Sequence, residues 1–107
     1  MTKCEFFRDQ ERITGFSVSG HSGYAEAGQD IVCAAISAAV AMAETTINDV
    51  CGGKAKVRVK EADARITVTL PAACEEEDAI QAVLAGLMLY LINLRDDYED
   101  YIEVLEV

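Results

Sequence analysis

A single α+β domain, with two helices packed on a mostly antiparallel sheet, is the fold this sequence predicts. Three observations carry that expectation. Two pairs of short runs alternate apolar and polar residues at a period of two and lie close enough to form hairpins. Two long stretches hold apolar residues at helical spacing and have capping residues at their ends. A final β-prone run completes the order β-β-α-β-β-α-β. At 107 residues the chain suits one domain, 1–107, and not two. A chain of that size buries about 65% of its unfolded surface, so a core forms without staples.

Cys4 to Arg8 and Arg12 to Ser19 are the first two strands, joined by Asp9-Gln10-Glu11. In the second, Thr14, Phe16 and Val18 share one face. Gly20 to Gln29 holds three glycines in ten residues and reads as a mobile loop. Asp30 is a good N-cap for an alanine-rich helix running to about Cys51. Ile36, Val40, Ala43, Ile47 and Val50 form its apolar stripe, and Gly52-Gly53 closes it. Lys56 to Lys60 and Arg65 to Leu70 form a second hairpin, which Pro71 ends. Glu75, Glu76, Glu77 and Asp78 place negative charge at the start of a helix running from about Glu75 to Asp97. That helix is apolar nearly all round from Leu87 to Leu94, which predicts cover from the fold or from a second subunit. Tyr101 to Val107 is the last strand.

Nineteen acidic residues against nine basic ones leave a formal charge of −10. Such a surface repels nucleic acid and anionic lipid and suits a basic partner. The apolar run Ala82 to Leu94 falls short of the roughly 20 residues a spanning helix needs. The first residues lack the apolar core of a signal peptide, so a cytoplasmic protein with reduced thiols is expected. Cys4, Cys33, Cys51 and Cys74 are widely spaced and accompany a single histidine, an arrangement that does not suit a metal site, and no cofactor is expected.

Cysteine chemistry instead centres on Cys33, the third residue after the Asp30 cap, and His21, just past the second strand. One short loop joins the two, and its closure costs little. The first turn of a helix favours a thiolate, and its free N–H groups suit an oxyanion. A neighbouring imidazole can take the thiol proton and return it to a leaving amine. By residue type alone, Cys33 is a small buried hydrophobe and His21 a solvated turn residue. Their convergence favours catalysis, while Cys4, Cys51 and Cys74 have no comparable base and read as structural. Ser37, one turn after Cys33, either bonds back to the helix or lines the cleft. Asp30 caps the helix and is a candidate to orient His21. Tyr24 and Glu26 ride on the loop, either to gate substrate entry or as loop residues with no function.

The run from Gly20 to Ser37, Gly-His-Ser-Gly-Tyr-Ala-Glu-Ala-Gly-Gln-Asp-Ile-Val-Cys-Ala-Ala-Ile-Ser, resembles the signature of the ribosomal-processing cysteine protease family. Chain length, Asn48, the acidic start of the second helix and the strand tail extend the resemblance over the domain. It implies a homodimeric protease that removes a short N-terminal extension from ribosomal protein L27 by cutting after an aromatic pair. It also implies a catalytic dyad of His21 and Cys33, support from Asp30 and Ser37, and a flexible substrate lid formed by Gly20, Ser22, Gly23, Tyr24, Glu26 and Gly28. The competing reading is a non-catalytic dimeric binding module for a basic ribosomal protein, with Cys33 merely buried. Thiol reactivity separates the two. A redox sensor would need a resolving cysteine near Cys33, and the sequence offers none there.

Overall fold

The computed structural model describes residues 1–26 and 28–107. Strands β1 (Thr2–Asp9) and β2 (Arg12–Ser19) lead into helix α1 (Ile31–Thr45), which a π-helical turn extends over Thr46–Val50. After them come strands β3 (Lys56–Lys60) and β4 (Arg65–Thr69), helix α2 (Glu77–Asp97) and strand β5 (Ile102–Glu106). The five strands form one mixed sheet in the order β3-β4-β2-β1-β5. The β1–β2, β2–β4 and β3–β4 pairs are antiparallel and the β1–β5 pair is parallel. The predicted α+β architecture and element order are therefore those observed.

Both helices bury one stripe in a single core. Val32, Ile36, Val40, Ala43 and Ile47 come from α1 and its π turn, and Ile80, Leu84, Leu87 and Leu91 from α2. With them lie Cys4 and Phe6 of β1, Phe16 and Val18 of β2, and Val68 of β4. Phe6 and Phe16 are Cα partners across the β1–β2 ladder, and their rings stack with centroids 5.7 Å apart. On the other side of the sheet Ser17, Thr67 and Arg65 are polar. Arg65 donates to Ser17 Oγ at 3.0 Å and approaches the Glu5 carboxylate at 3.8 Å.

Several local expectations are corrected. A bulge between Phe7 and Arg8 leaves Thr14 without a cross-strand partner, so Ile13 is buried in the core and Thr14 is only half-buried. The backbone of Ile13, which the β4 ladder does not reach, is completed by a side chain from α2. Ile13 N–H donates to Gln81 Oε1 and Gln81 Nε2 donates to Ile13 O, each at 2.8 Å. Val50 leaves the α1 stripe and is 75% exposed, because the wider π turn shifts the helical phase. Val59 is also exposed, since β3 is an edge strand, and its flanking Lys56, Arg58 and Lys60 discourage further strand pairing.

Helix α2 starts at Glu77 instead of Glu75, where Arg12 Nε donates to Glu77 Oε1 at 2.6 Å. Between the π turn and β3, Asn48 binds both backbone groups of Ala55, at 3.1 and 2.8 Å. The expectation that no stretch reaches spanning length is corrected too. The helical stretches Ile31–Val50, of 20 residues, and Glu77–Asp97, of 21, are long and apolar enough by length and composition. Their stripes on the sheet bury only part of that apolar surface. On α2, Leu87, Met88 and Leu91 are buried, whereas Leu89 and Tyr90 stay exposed.

Candidate active site

Strand β2 delivers the glycine-rich loop through a tight turn at Gly20, whose φ of +82° suits glycine. A Cβ there would lie 2.7 Å from Met1 O, so the start of β1 demands the same residue. Gly20 N–H also donates to Asp63 O at 3.3 Å. The chain then presents His21 outward and turns Ser22 inward, leaving Ser22 only 2% exposed.

Asp30 binds the loop and the helix together. Its Oδ1 accepts from Val32 N–H at 3.0 Å and Cys33 N–H at 2.9 Å, capping α1 as expected. Its Oδ2 accepts from Ser22 Oγ, from Tyr24 N–H at 3.2 Å and from Ala25 N–H at 3.4 Å. Burial raises this carboxyl's pKa. Hydrogen bonds from the Ser22 hydroxyl, the Cys33 and Ala25 N–H groups and the Cys33 thiol outweigh that and hold it at about 2.

Cys33 sits half-buried in the first turn of α1. Ser22 N–H donates to its Sγ at 3.4 Å, and the thiol donates back to Ser22 Oγ at 3.4 Å. Two cavities of about 480 Å³ open onto this sulfur, and His21 and Ser37 line both. The first runs over an apolar floor of Val18, Ile36, Val59 and Ile66, with Glu61 and Arg65 also lining it. The second is walled by the loop itself through Gly23, Ala25 and Gly28. His21 and Cys33 thus border the same spaces. Among the described residues no side-chain hydrogen bond reaches His21.

Four site expectations change. Ser22, expected in the lid, is the buried link between loop, cap and thiol. Asp30 does not orient His21, because its two oxygens serve five other donors. The N–H groups of Val32 and Cys33 are not free for an oxyanion, because the cap takes both. The loop N–H of Ser22 is the donor that faces the sulfur. Tyr24, expected in the lid to gate substrate entry, packs its ring on Tyr98 and Tyr101. No spacing in the sequence marks that aromatic contact or the Ser22 link, since both join residues from separate elements.

Gly23 and Gly28 have φ of +76° and +87° with open space around them, and Glu26 is exposed. Ala27 of the signature lies outside the described residues. The remaining thiols are differently placed. Burial pushes Cys4 up to about 12. Cys74 is half-buried near Gly53 O and Arg12 Nη2, at 3.8 and 3.9 Å, and Cys51 is half-buried at the end of the π turn.

Residues 1–103 match a family model described as cysteine protease Prp. The chain is similar to the ribosomal processing cysteine protease Prp of Bacillus subtilis, with 28% identity over 94 residues, 86% of this chain and 84% of that protein. Its fold is similar to that of an essential ribosomal processing protease Prp from S. aureus. With a covalently linked product peptide the TM-score is 0.89 at 19% identity, and with a substrate peptide it is 0.85 at 18%. Both comparisons cover the whole of each chain.

Proposed function

The chain belongs to the cysteine protease Prp family, and from that premise we propose that it removes a short N-terminal extension from ribosomal protein L27 by cutting after an aromatic pair. Cys33 is the nucleophile, and His21 the general base and then acid. The observation that carries this reading is the pairing of a helix-first-turn thiol with a histidine across two shared cavities. Proton transfer from Sγ to the His21 imidazole leaves a thiolate facing the Ser22 N–H. Sulfur attacks the scissile carbonyl, and the protonated imidazole gives its proton to the leaving amine. His21 then takes a proton from water, which hydrolyses the thioester and frees Cys33. Asp30 and Ser37 support the reaction, Asp30 by fixing the loop and Ser37 by lining both cavities. The apolar floor of Val18, Ile36, Val59 and Ile66 suits aromatic side chains.

A charge of −10 attracts a basic ribosomal protein and repels ribosomal RNA, which favours the free precursor in the cytoplasm over the assembled particle. Faster processing on assembled ribosomes would overturn that preference. The glycine-flanked lid gives selectivity by ordering around the right sequence. An apolar groove between α1 and α2, lined by Ala35, Ala39, Met42, Leu87 and Tyr90, supports a homodimer, which sedimentation tests.

The deciding experiment incubates a peptide spanning the extension, the aromatic pair and the first mature residues with wild type, Cys33→Ala and His21→Ala. Products are read by mass. Cleavage after the aromatic pair by wild type alone supports the protease and both roles. No cleavage, with Cys33 no more reactive than the other thiols, leaves the non-catalytic binding module.

A further inference from the structure

Tyr24 is held from two sides that are remote in sequence. Its N–H donates to Asp30 Oδ2 at 3.2 Å, which ties its backbone to the cap of α1. Its ring meets two others edge-on. The Tyr24 and Tyr98 centroids are 5.5 Å apart with planes at 89°, and those of Tyr24 and Tyr101 are 5.2 Å apart at 76°. This is the arrangement in which the positive edge of one ring meets the negative face of another.

Tyr98 and Tyr101 form a firm platform. Tyr98 is the C-cap of α2, Tyr101 N–H donates to Tyr98 O at 3.0 Å, and Thr2 N–H donates to Tyr101 O at 2.9 Å. Both rings pack against the core, whereas Tyr24 is 41% exposed. Gly23, next to the held Tyr24, has a left-handed φ and open surroundings, so the backbone can turn there once the ring lets go. In the held position Gly23, Ala25 and Gly28 wall a cavity that still opens onto Cys33. The docked loop therefore builds a binding wall instead of closing off the thiol.

We infer that Tyr98 and Tyr101 are positioning residues, which clasp Tyr24 and so hold the glycine-rich loop as a wall of the peptide-binding cavity. The inference rests on the protease reading for its kinetic consequence, although the clasp itself does not depend on it. If the walled cavity is the binding-competent state, loss of the clasp lowers the population of that state and raises KM by the same factor. Two edge-to-face contacts shift the ratio of docked to released loop by about tenfold, which is the upper limit of the rise in KM.

The test compares wild type with the double variants Tyr98→Leu/Tyr101→Leu and Tyr98→Phe/Tyr101→Phe, and with Tyr24→Ala. Peptide kinetics and amide hydrogen exchange over Gly23–Glu26 are measured on each. The leucine pair and Tyr24→Ala are expected to raise KM by up to about tenfold, keep kcat within about twofold and speed exchange of the loop amides. The phenylalanine pair, which keeps the rings, is expected to match wild type. Tyr24→Ala carries the test if the leucine pair fails to fold. An unchanged KM, a fall confined to kcat, or unchanged loop exchange overturns the inference. If wild type cleaves no peptide, the protease reading fails, and loop exchange alone decides the clasp.

Discussion

The four thiols of the native protein are expected to alkylate in a fixed order, with Cys33 first, Cys51 and Cys74 together, and Cys4 last. Burial raises Cys4 from an ordinary 9.0 to about 12. At pH 7 its thiolate fraction therefore drops about a thousandfold. The rarer, more basic thiolate is the better nucleophile and recovers roughly twentyfold to thirtyfold. A deficit of about thirtyfold to sixtyfold remains before access is considered. Access deepens it, because Cys4 has 0% exposure beneath the helices and reacts only when the fold opens. Cys33, by contrast, lines two open cavities and receives the Ser22 N–H on its sulfur. The assay is timed iodoacetamide labelling at pH 7, quenched and digested, with each cysteine peptide quantified by mass. Labelling in guanidinium, where all four thiols should react alike, supplies the reference. Cys4 reacting within a few-fold of Cys51 would refute the packing argument. Cys33 failing to lead would refute the active-site argument, and the two failures are read from the same digest.

Two hydrogen-bond hubs give further expected outcomes. The Asp30 carboxyl is held at about 2 against an ordinary 3.8, so its contribution to folding is complete above about pH 4 and disappears as pH falls through 2. Denaturant melts of wild type and Asp30→Asn should differ by a constant amount from pH 7 to 5 and converge toward pH 2. A gap that widens in acid would reverse the assigned sign. Gln81→Ala strips both side-chain bonds from the backbone of Ile13 and should cost about 2 kcal/mol, a fall in Tm of roughly 8 °C. A loss below about 0.5 kcal/mol in guanidinium melts would mean that water replaces the glutamine.

What the sequence made legible was periodic or local. Period-two alternation located β2, β3 and β4, and helical spacing with Asp30 and Gly52-Gly53 bounded α1 together with its π turn, because those signals are written within a few residues. The errors fall where the period is interrupted. A one-residue bulge exchanged Ile13 for Thr14 in the core, and a π turn moved Val50 out of it. Position in the sheet misled as well, since β3 and β4 alternate alike but β3 lies at the edge. The side chains that tie elements together were invisible for a different reason. Gln81 reaches Ile13 across 68 residues, and Tyr98 and Tyr101 reach Tyr24 across 74 and 77. No local pattern encodes such a partner.

Lone-pair counting also bears on the proposed dyad. A carboxylate offers about four lone-pair sites, and Asp30 already serves five donors from the loop and helix. It fixes the place of Cys33 and has nothing left with which to orient an imidazole. His21 nevertheless has its backbone pinned on both sides, by the Gly20 turn against Met1 and Asp63 and by buried Ser22. Its ring is thus carried to the cavities on a fixed main chain with its rotamer unassigned by hydrogen bonding. Catalytic hydrogen bonds commonly tighten only in the substrate complex. Alignment of the proposed dyad is therefore expected only with peptide in both cavities, and a peptide that fills one of them should bind, by calorimetry, without being cut, by mass.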